Sequence, residues 1–202
     1  MIKSILIPSL AIATMFCMSS FQKVSKNAGK YNVNMEKSGI IWEGNKAVGG
    51  GHTGTISLKE GSVNFNGETV TSGTFTADMN SITNIDLDNN VKDKLVNHLK
   101  SADFFEVDKY PTATFVITKV DLVSKGNAVA TGSLTIKGIT NKISFPFTFQ
   151  AMDDRLEVVA KRIKIDRTKY GIQFQSKGLK SSLSEKVIND EFLLDLNLVF
   201  SK

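Results

Sequence analysis

One cysteine, two histidines, one tryptophan and three prolines are all that 202 residues hold of these types, and each scarcity removes something. Cys17 lies in the apolar N-terminal segment. A chain cleaved beyond it has no disulfide, no thiol nucleophile and no thiolate metal site. The other reading of Cys17 is an acylated lipoprotein N-terminus, and Phe16 argues against it, because the lipoprotein peptidase takes a small residue there. His52 and His98 stand far apart, with no H-x-x-H or H-x-E spacing, so a histidine-built metal or catalytic centre has little to start from. Charge does not cluster either. The 25 Lys and Arg residues are interspersed with 20 Asp and Glu, and no basic block points to nucleic acid. There is no Pro-rich or Ser-rich linker and no internal repeat.

The N-terminus carries Lys3, then the apolar run Ile5 to Phe16, then small residues at Ser19 and Ser20. This is the order of a secretory signal peptide, and the run is too short to cross a bilayer as a helix. Residues 1–20 are expected to be removed, which lowers the formal charge of +5 by the one unit that Lys3 contributes. The protein is then exported, to the periplasm or beyond. The rest is long enough for one domain with a substantial core, expected over residues 30–201.

That remainder reads as strands. Ile40 and Trp42, Ile56 and Leu58, Val63 and Phe65, and Phe75, Ala77 and Met79 show apolar spacing of two. Ile143, Phe145, Phe147 and Phe149 alternate through four apolar residues, and Leu194, Leu196, Leu198 and Phe200 do the same near the C-terminus. GGGH at 49–52, KEGS at 59–62, NGET at 66–69 and SKGN at 124–127 supply turns. Polar residues on the opposite face, such as Ser144, Thr148, Asp195 and Asn197, argue against a membrane barrel, which would turn its apolar face to lipid. The pattern predicts an antiparallel all-β chain closed as a barrel or a sandwich.

One stretch interrupts it. Val91, Leu95 and Leu99 recur every four residues behind Asp88 and Asn89, which predicts a short capped helix. Phe104 and Phe105 follow at a turn, and Pro111 forces extended chain into the strand that carries Phe115 and Ile117 on one face. A helix that ends by setting aromatics against the start of a strand suits the mouth of a barrel. The segment 166–172, DRTKYGI, predicts a strand corner between Arg162–Ile165 and Ile172–Phe174, with Gly171 at a bulge and Arg167 paired to a carboxylate. The functional alternative places Arg167 or Tyr170 at a barrel mouth to hold a polar head.

Enzyme chemistry finds no footing. The carboxylate pairs Asp86/Asp88, Asp153/Asp154 and Asp190/Glu191 lie in turn-like polar settings, Ser133 and Ser144 lack a nucleophile elbow, and the glycines at 49–51 open no phosphate loop.

Four blocks in order carry a family resemblance: GGGHTGTISLKEGSV at 49–63, HLKSADFFEVDKYPTATFVITKV at 98–120, GSLTIKGITNKISFPFTF at 132–149 and IDRTKYGI at 165–172. The chain is identified by them as resembling the YceI-like, lipid- or polyisoprenoid-binding proteins. The resemblance implies an extended eight-stranded antiparallel, lipocalin-like β-barrel with one or two short helices near one end and an apolar channel. It implies no catalytic motif and no cofactor. It implies instead an exported carrier for a polyisoprenoid, quinone or other long-chain amphiphile, in transient contact with membranes and not with nucleic acid. An envelope-stress interaction module with a self-filled core is the alternative. The strand faces then put Trp42, Phe75, Ala77, Met79, Phe115, Ile117, Leu134, Ile136, Phe145, Phe147, Phe149, Leu194, Leu196 and Leu198 on the channel, with His98, Arg167 and Tyr170 as head-group contacts. Pro146 fits the family pattern but requires a bulge or an unpaired donor at that point.

Overall fold

The computed structural model describes residues 27–179 and 186–202, so Cys17 and the expected signal segment lie outside the described residues. The strands are β1 (Gly29–Val33), β2 (Gly39–Lys46), β3 (Gly51–Phe65), β4 (Val70–Asn84), β5 (Thr112–Ser124), β6 (Asn127–Ile136), β7 (Ile139–Met152), β8 (Arg155–Asp166) and β9 (Ile188–Ser201). One α-helix, α1 (Asn89–Lys100), joins β4 to β5, and 3-10 turns cover Arg167–Tyr170 and Lys177–Leu179.

These strands close into an eight-stranded antiparallel barrel, because β1 and β2 share one position in the wall. Both run antiparallel to β3 and to β9, β1 against their far ends and β2 against the near ones. The chain leaves the wall between them at 34–38. Ser38 repairs the break: its hydroxyl accepts from the Val199 N–H at 2.9 Å, while the Val199 carbonyl accepts from the Asn34 N–H at 2.8 Å. A strand edge that would otherwise be bare is thus paired. From β3 to β9 the order around the barrel follows the sequence. Lys137 and Gly138 both take positive φ in the two-residue turn between β6 and β7, the conformation that matches strand twist.

The far end, away from α1, is plugged. Tyr31 meets Phe65 edge-on at 6.3 Å, Phe65 meets Phe149 at 6.0 Å, and Leu156 and Phe200 are fully buried beside them. At the near end α1 leans on β4 with Leu99 buried and Leu95 half-buried, but Val91 is 54% exposed. The apolar stripe of the helix is therefore shorter than its spacing predicts. Asp88 holds the N-cap position through its carbonyl, which accepts from Val91 and Lys92, and its side chain makes no cap. Segment 101–111 then folds back tightly, with the N–H groups of Phe104 through Val107 all donated to carbonyls of residues 99–101.

Three local expectations are corrected. KEGS at 59–62 makes no turn but runs inside β3, where the ladder with β4 only shifts register between Leu58 and Glu60. Ile172–Phe174 is not a strand: after the 3-10 turn the chain passes through irregular structure with Ile172 buried. Gly171 is no bulge but the left-handed cap of that turn, at φ 74°. A helical turn can spend the Asp166 carboxylate on the Thr168 N–H and hydroxyl, which a strand corner could not.

Gly54 on β3 shows how closely the wall is packed. A Cβ there would run into the Thr83 carbonyl and the flat of the Trp42 indole, whose N–H donates to that same carbonyl at 3.0 Å. Gly54→Ala is expected to cost about 2–3 kcal/mol, since neither the backbone nor the ring can step aside. A lowered urea midpoint with an unchanged slope would record it.

On β8, Lys161 and Arg162 together oppose Asp195 of β9, a bulge with Arg162 at φ 56°. Asp195 fastens it by accepting the Arg162 N–H at 2.7 Å and the Lys161 ammonium at 3.2 Å. That backbone bond above all, with the nearby cations, outweighs the effect of burial and holds the Asp195 carboxyl below the ordinary carboxylate value of 3.8. A carboxyl lowered by folding stabilises the protein above its unfolded pKa and loses that contribution as pH falls through the folded one. Asp195→Asn is expected to reduce stability at neutral pH and to flatten its fall below about pH 4, as read by denaturant titrations across that range.

Candidate functional site: an apolar channel

Alternation along every wall strand sends one set of side chains inward, and in an eight-stranded barrel that set either fills the interior or lines a cavity. Here it lines one. The space along it, open solvent at its mouths included, amounts to about 1150 Å³, and among the described residues 28 line it, of which only Thr114 carries a polar side chain.

Twelve of the expected lining residues stand on this wall: Phe75, Ala77 and Met79 from β4, Phe115 and Ile117 from β5, Leu134 and Ile136 from β6, Phe145 and Phe147 from β7, and Leu194, Leu196 and Leu198 from β9. Phe75 and Phe115, direct partners in the ladder, stack at 6.5 Å, and Phe145 lies 5.4 Å from Phe115. Two expected residues do not line it. Phe149 is spent in the far-end plug against Phe65 and Phe147. Trp42 faces a second, smaller cavity, because Gly54 and Thr83 draw its ring towards the near end.

This second space, about 540 Å³, lies under α1 and is lined by Trp42, Ile82, Leu99, Phe104, Arg167 and Ile172 among others. Ile56, Phe105 and Phe192 line both cavities, and the Phe105 and Phe192 rings meet edge-on at 6.4 Å. Those two rings partition the near end. The sequence reading set Phe104 and Phe105 at a barrel mouth without choosing between them. Phe192 it missed, although its spacing of two from Leu194 extends the inward face of β9.

None of the three head-group candidates stands on the channel wall. His98 lies outside it, its Nε2 3.1 Å from Asp103 and its ring edge-on to Phe104 and Phe174. Arg167 is 4% exposed and donates through Nε to the Asn189 carbonyl, through Nη1 to that of Ile172 and through Nη2 to that of Ile188, at 3.0–3.1 Å. Its expected carboxylate is Asp190, at 3.7 Å. Burial lowers the Arg167 pKa, while Asp190 and Asp166 oppose the shift. The guanidinium is a staple joining the 3-10 turn to the start of β9. Tyr170 is buried behind that turn, and burial first, then the Asp166 charge, pushes its phenol above the ordinary value.

The other histidine makes a surface pair. His52 Nδ1 sits 3.4 Å from Asp86. Burial opposes ionisation of Asp86, but hydrogen bonds from Asn84, Thr53 and His52 prevail and lower its pKa. Among the described residues no three His, Cys, Asp or Glu side chains gather as a metal site would require, and no helix is long and apolar enough to cross a membrane.

An antiparallel eight-stranded barrel closed around a nearly all-apolar channel defines a lipocalin-shaped binding barrel. The family model described as the YceI-like domain matches residues 31–200, and the chain belongs to that family. Among curated relatives, a UPF0312 protein of Pseudomonas putida (strain W619) is 46% identical over 52 residues, 26% of this chain and 27% of that protein. A UPF0312 protein of Staphylococcus aureus (strain USA300) is 42% identical over 84 residues, 39% of this chain and 46% of its own length. The chain thus aligns with a quarter to a half of these relatives. Two solved structures share the fold over most of their length. BcnA of Burkholderia cenocepacia superposes with a TM-score of 0.65 at 22% identity, covering 83% of this chain and 98% of its own. A polyisoprenoid binding domain of Saccharophagus degradans, implicated in plant cell wall breakdown, gives 0.64 at 18% identity over 85% of this chain and 97% of its own.

Proposed function

We propose that this protein is an exported, non-enzymatic carrier that holds the chain of a polyisoprenoid, a quinone or a similar long amphiphile in its channel. The observation that carries this reading is the lining, a tube wall with one hydroxyl and no charge. Such a wall offers nothing to orient a reaction and much to bury hydrocarbon. The Saccharophagus domain, described as polyisoprenoid binding, lends support through the shared fold.

Energetics favour a shuttle over a permanent store. Each CH₂ moved out of water contributes about 0.8 kcal/mol, so several isoprene units approach the ceiling of roughly −18 to −21 kcal/mol before ordering costs are subtracted. The competing site for such a molecule is a bilayer, equally apolar. Transfer between channel and membrane is then nearly balanced, which permits loading and release.

Native mass spectrometry of gently purified protein, followed by solvent extraction, tests the proposal. A stoichiometric prenyl-chain or quinone mass is expected. Empty protein that also ignores added prenyl lipid would refute it.

A further inference from the structure

The β7–β8 ladder covers only part of the two strands. β7 and β8 are hydrogen-bonded only where Thr148–Met152 meet Arg155–Val159. Beyond that point the two strands part, although each stays paired to its other neighbour: β7 with β6 back to Ile139, and β8 with β9 on to Asp166.

The sequence opens this gap from both sides at one level. The Phe149 N–H donates to Gly126 on the β6 side, so by the alternation of an antiparallel strand the even-numbered residues of β7 direct their nitrogens towards β8. Pro146 is one of these, and it has no N–H to give. Two residues beyond the last paired position on β8, the bulge at Lys161 and Arg162 begins, fastened away towards Asp195 and, through the Arg162 guanidinium, towards Glu43. A missing donor thus faces a strand that bends away. The gap ends nearer α1, where the Asn141 side chain donates to the Lys169 carbonyl at 3.0 Å. It is a window, framed below by the Thr148–Val159 pair and above by that one bond.

Behind it stands the channel. Ile143, Phe145 and Phe147 on one side and Ala160, Ile163 and Ile165 on the other all belong to the channel wall. The axial routes are less open: the far end is sealed by its aromatic plug, and Phe105 and Phe192 stand across the near end.

We infer that the apolar chain of the ligand enters and leaves the channel sideways, through the window between β7 and β8, and not along the barrel axis. The window edge also suits a polar head. The N–H groups of Lys142 and Ser144 point into it, and the exposed Lys142 stands at its rim, while Lys161 and Lys164 on the opposite edge are paired to Asp195 and Glu191 of β9. A head that accepts hydrogen bonds is held there while the chain lies inside. This inference rests on the carrier reading.

The test ties the window shut. In a Cys17→Ser background, Lys142→Cys and Lys164→Cys are joined by a short bis-maleimide, and exchange of a fluorescent prenyl-chain probe is followed before and after joining. A control tether joins Val116→Cys to Ser133→Cys, which face each other in the β5–β6 ladder, paired on both sides of that position. The window tether is expected to slow uptake and release at least tenfold and to trap probe loaded beforehand, while the control tether leaves both rates unchanged. Pro146→Val, which restores a donor facing β8, is expected to slow exchange in the same direction without any tether. Unchanged rates in the tethered protein and in Pro146→Val would overturn the inference and assign passage to the near end. Failure of the untethered protein to take up any prenyl probe would instead refute the carrier reading on which the inference rests.

Discussion

Ala113→Phe is expected to fold as the parent does and to lose about a hundredfold in affinity for a prenyl-chain ligand. Ala113 faces Ala77 across the β4–β5 ladder, and both line the channel beside the Phe75–Phe115 stack. A phenyl ring added there extends into the channel, which Ala77 and Ala113 line with small side chains, so less of the strain that usually accompanies a larger core residue is expected. Filling a void contributes to stability, and the melting temperature should hold or rise. The ligand meets the opposite outcome. A ring in its path excludes about four methylene groups, worth about 3 kcal/mol at 0.8 kcal/mol each, which is roughly two decades of affinity. Thermal unfolding and probe titration on the same preparation separate the two effects. A variant of raised stability and undiminished affinity would show that the ligand lies elsewhere.

Arg167→Met should lower stability by about 3–5 kcal/mol, the largest loss expected of a single substitution here. Methionine keeps much of the volume and the apolar stem, but it leaves the carbonyls of Ile172, Ile188 and Asn189 without the donor that now serves them. Buried acceptors without partners carry their full desolvation cost, and removing one member of a buried charged set typically costs that much. For a domain of this size the melting temperature should fall by roughly 6–20 °C. Arg167→Lys is expected to recover little, because one ammonium cannot present the planar fork that reaches three carbonyls. A head-group role predicts the reverse, normal stability with weakened binding, so calorimetry beside a probe titration tells staple from ligand contact.

Much of the barrel was legible because alternation is a local signal. Phe145 and Phe147, or Leu194 to Leu198, announce an inward face within a few residues, and the structure keeps them there. What alternation cannot convey is depth along the axis. Phe149 continues the pattern of Phe147 yet ends in the plug, since Phe65 from a strand more than eighty residues earlier meets it at the bottom. Trp42 points inward as expected and still misses the channel, because its level is set by Gly54 and Thr83. Arg167 was harder. Its partners come from the end of the turn and from the start of β9, and no spacing in the sequence joins position 167 to 188 and 189. The expected carboxylate was there, in a supporting place. Pro146 did announce a missing donor, but only the Lys161–Arg162 bulge at the same height turns that gap into an opening.

The aromatic plug has a consequence for what the protein can tell apart. With a floor made of Tyr31, Phe65 and Phe149 beneath Phe200, which still lines the bore, the tube is blind, and a chain can advance only until it touches bottom. Its wall, with a single hydroxyl, reads no functional groups along the way. The selection left to such a vessel is metrical. On the proposed carrier reading it would work as a dipstick, with chains up to the depth of the bore lying inside and the surplus of longer ones left outside in water, where each added unit no longer tightens binding.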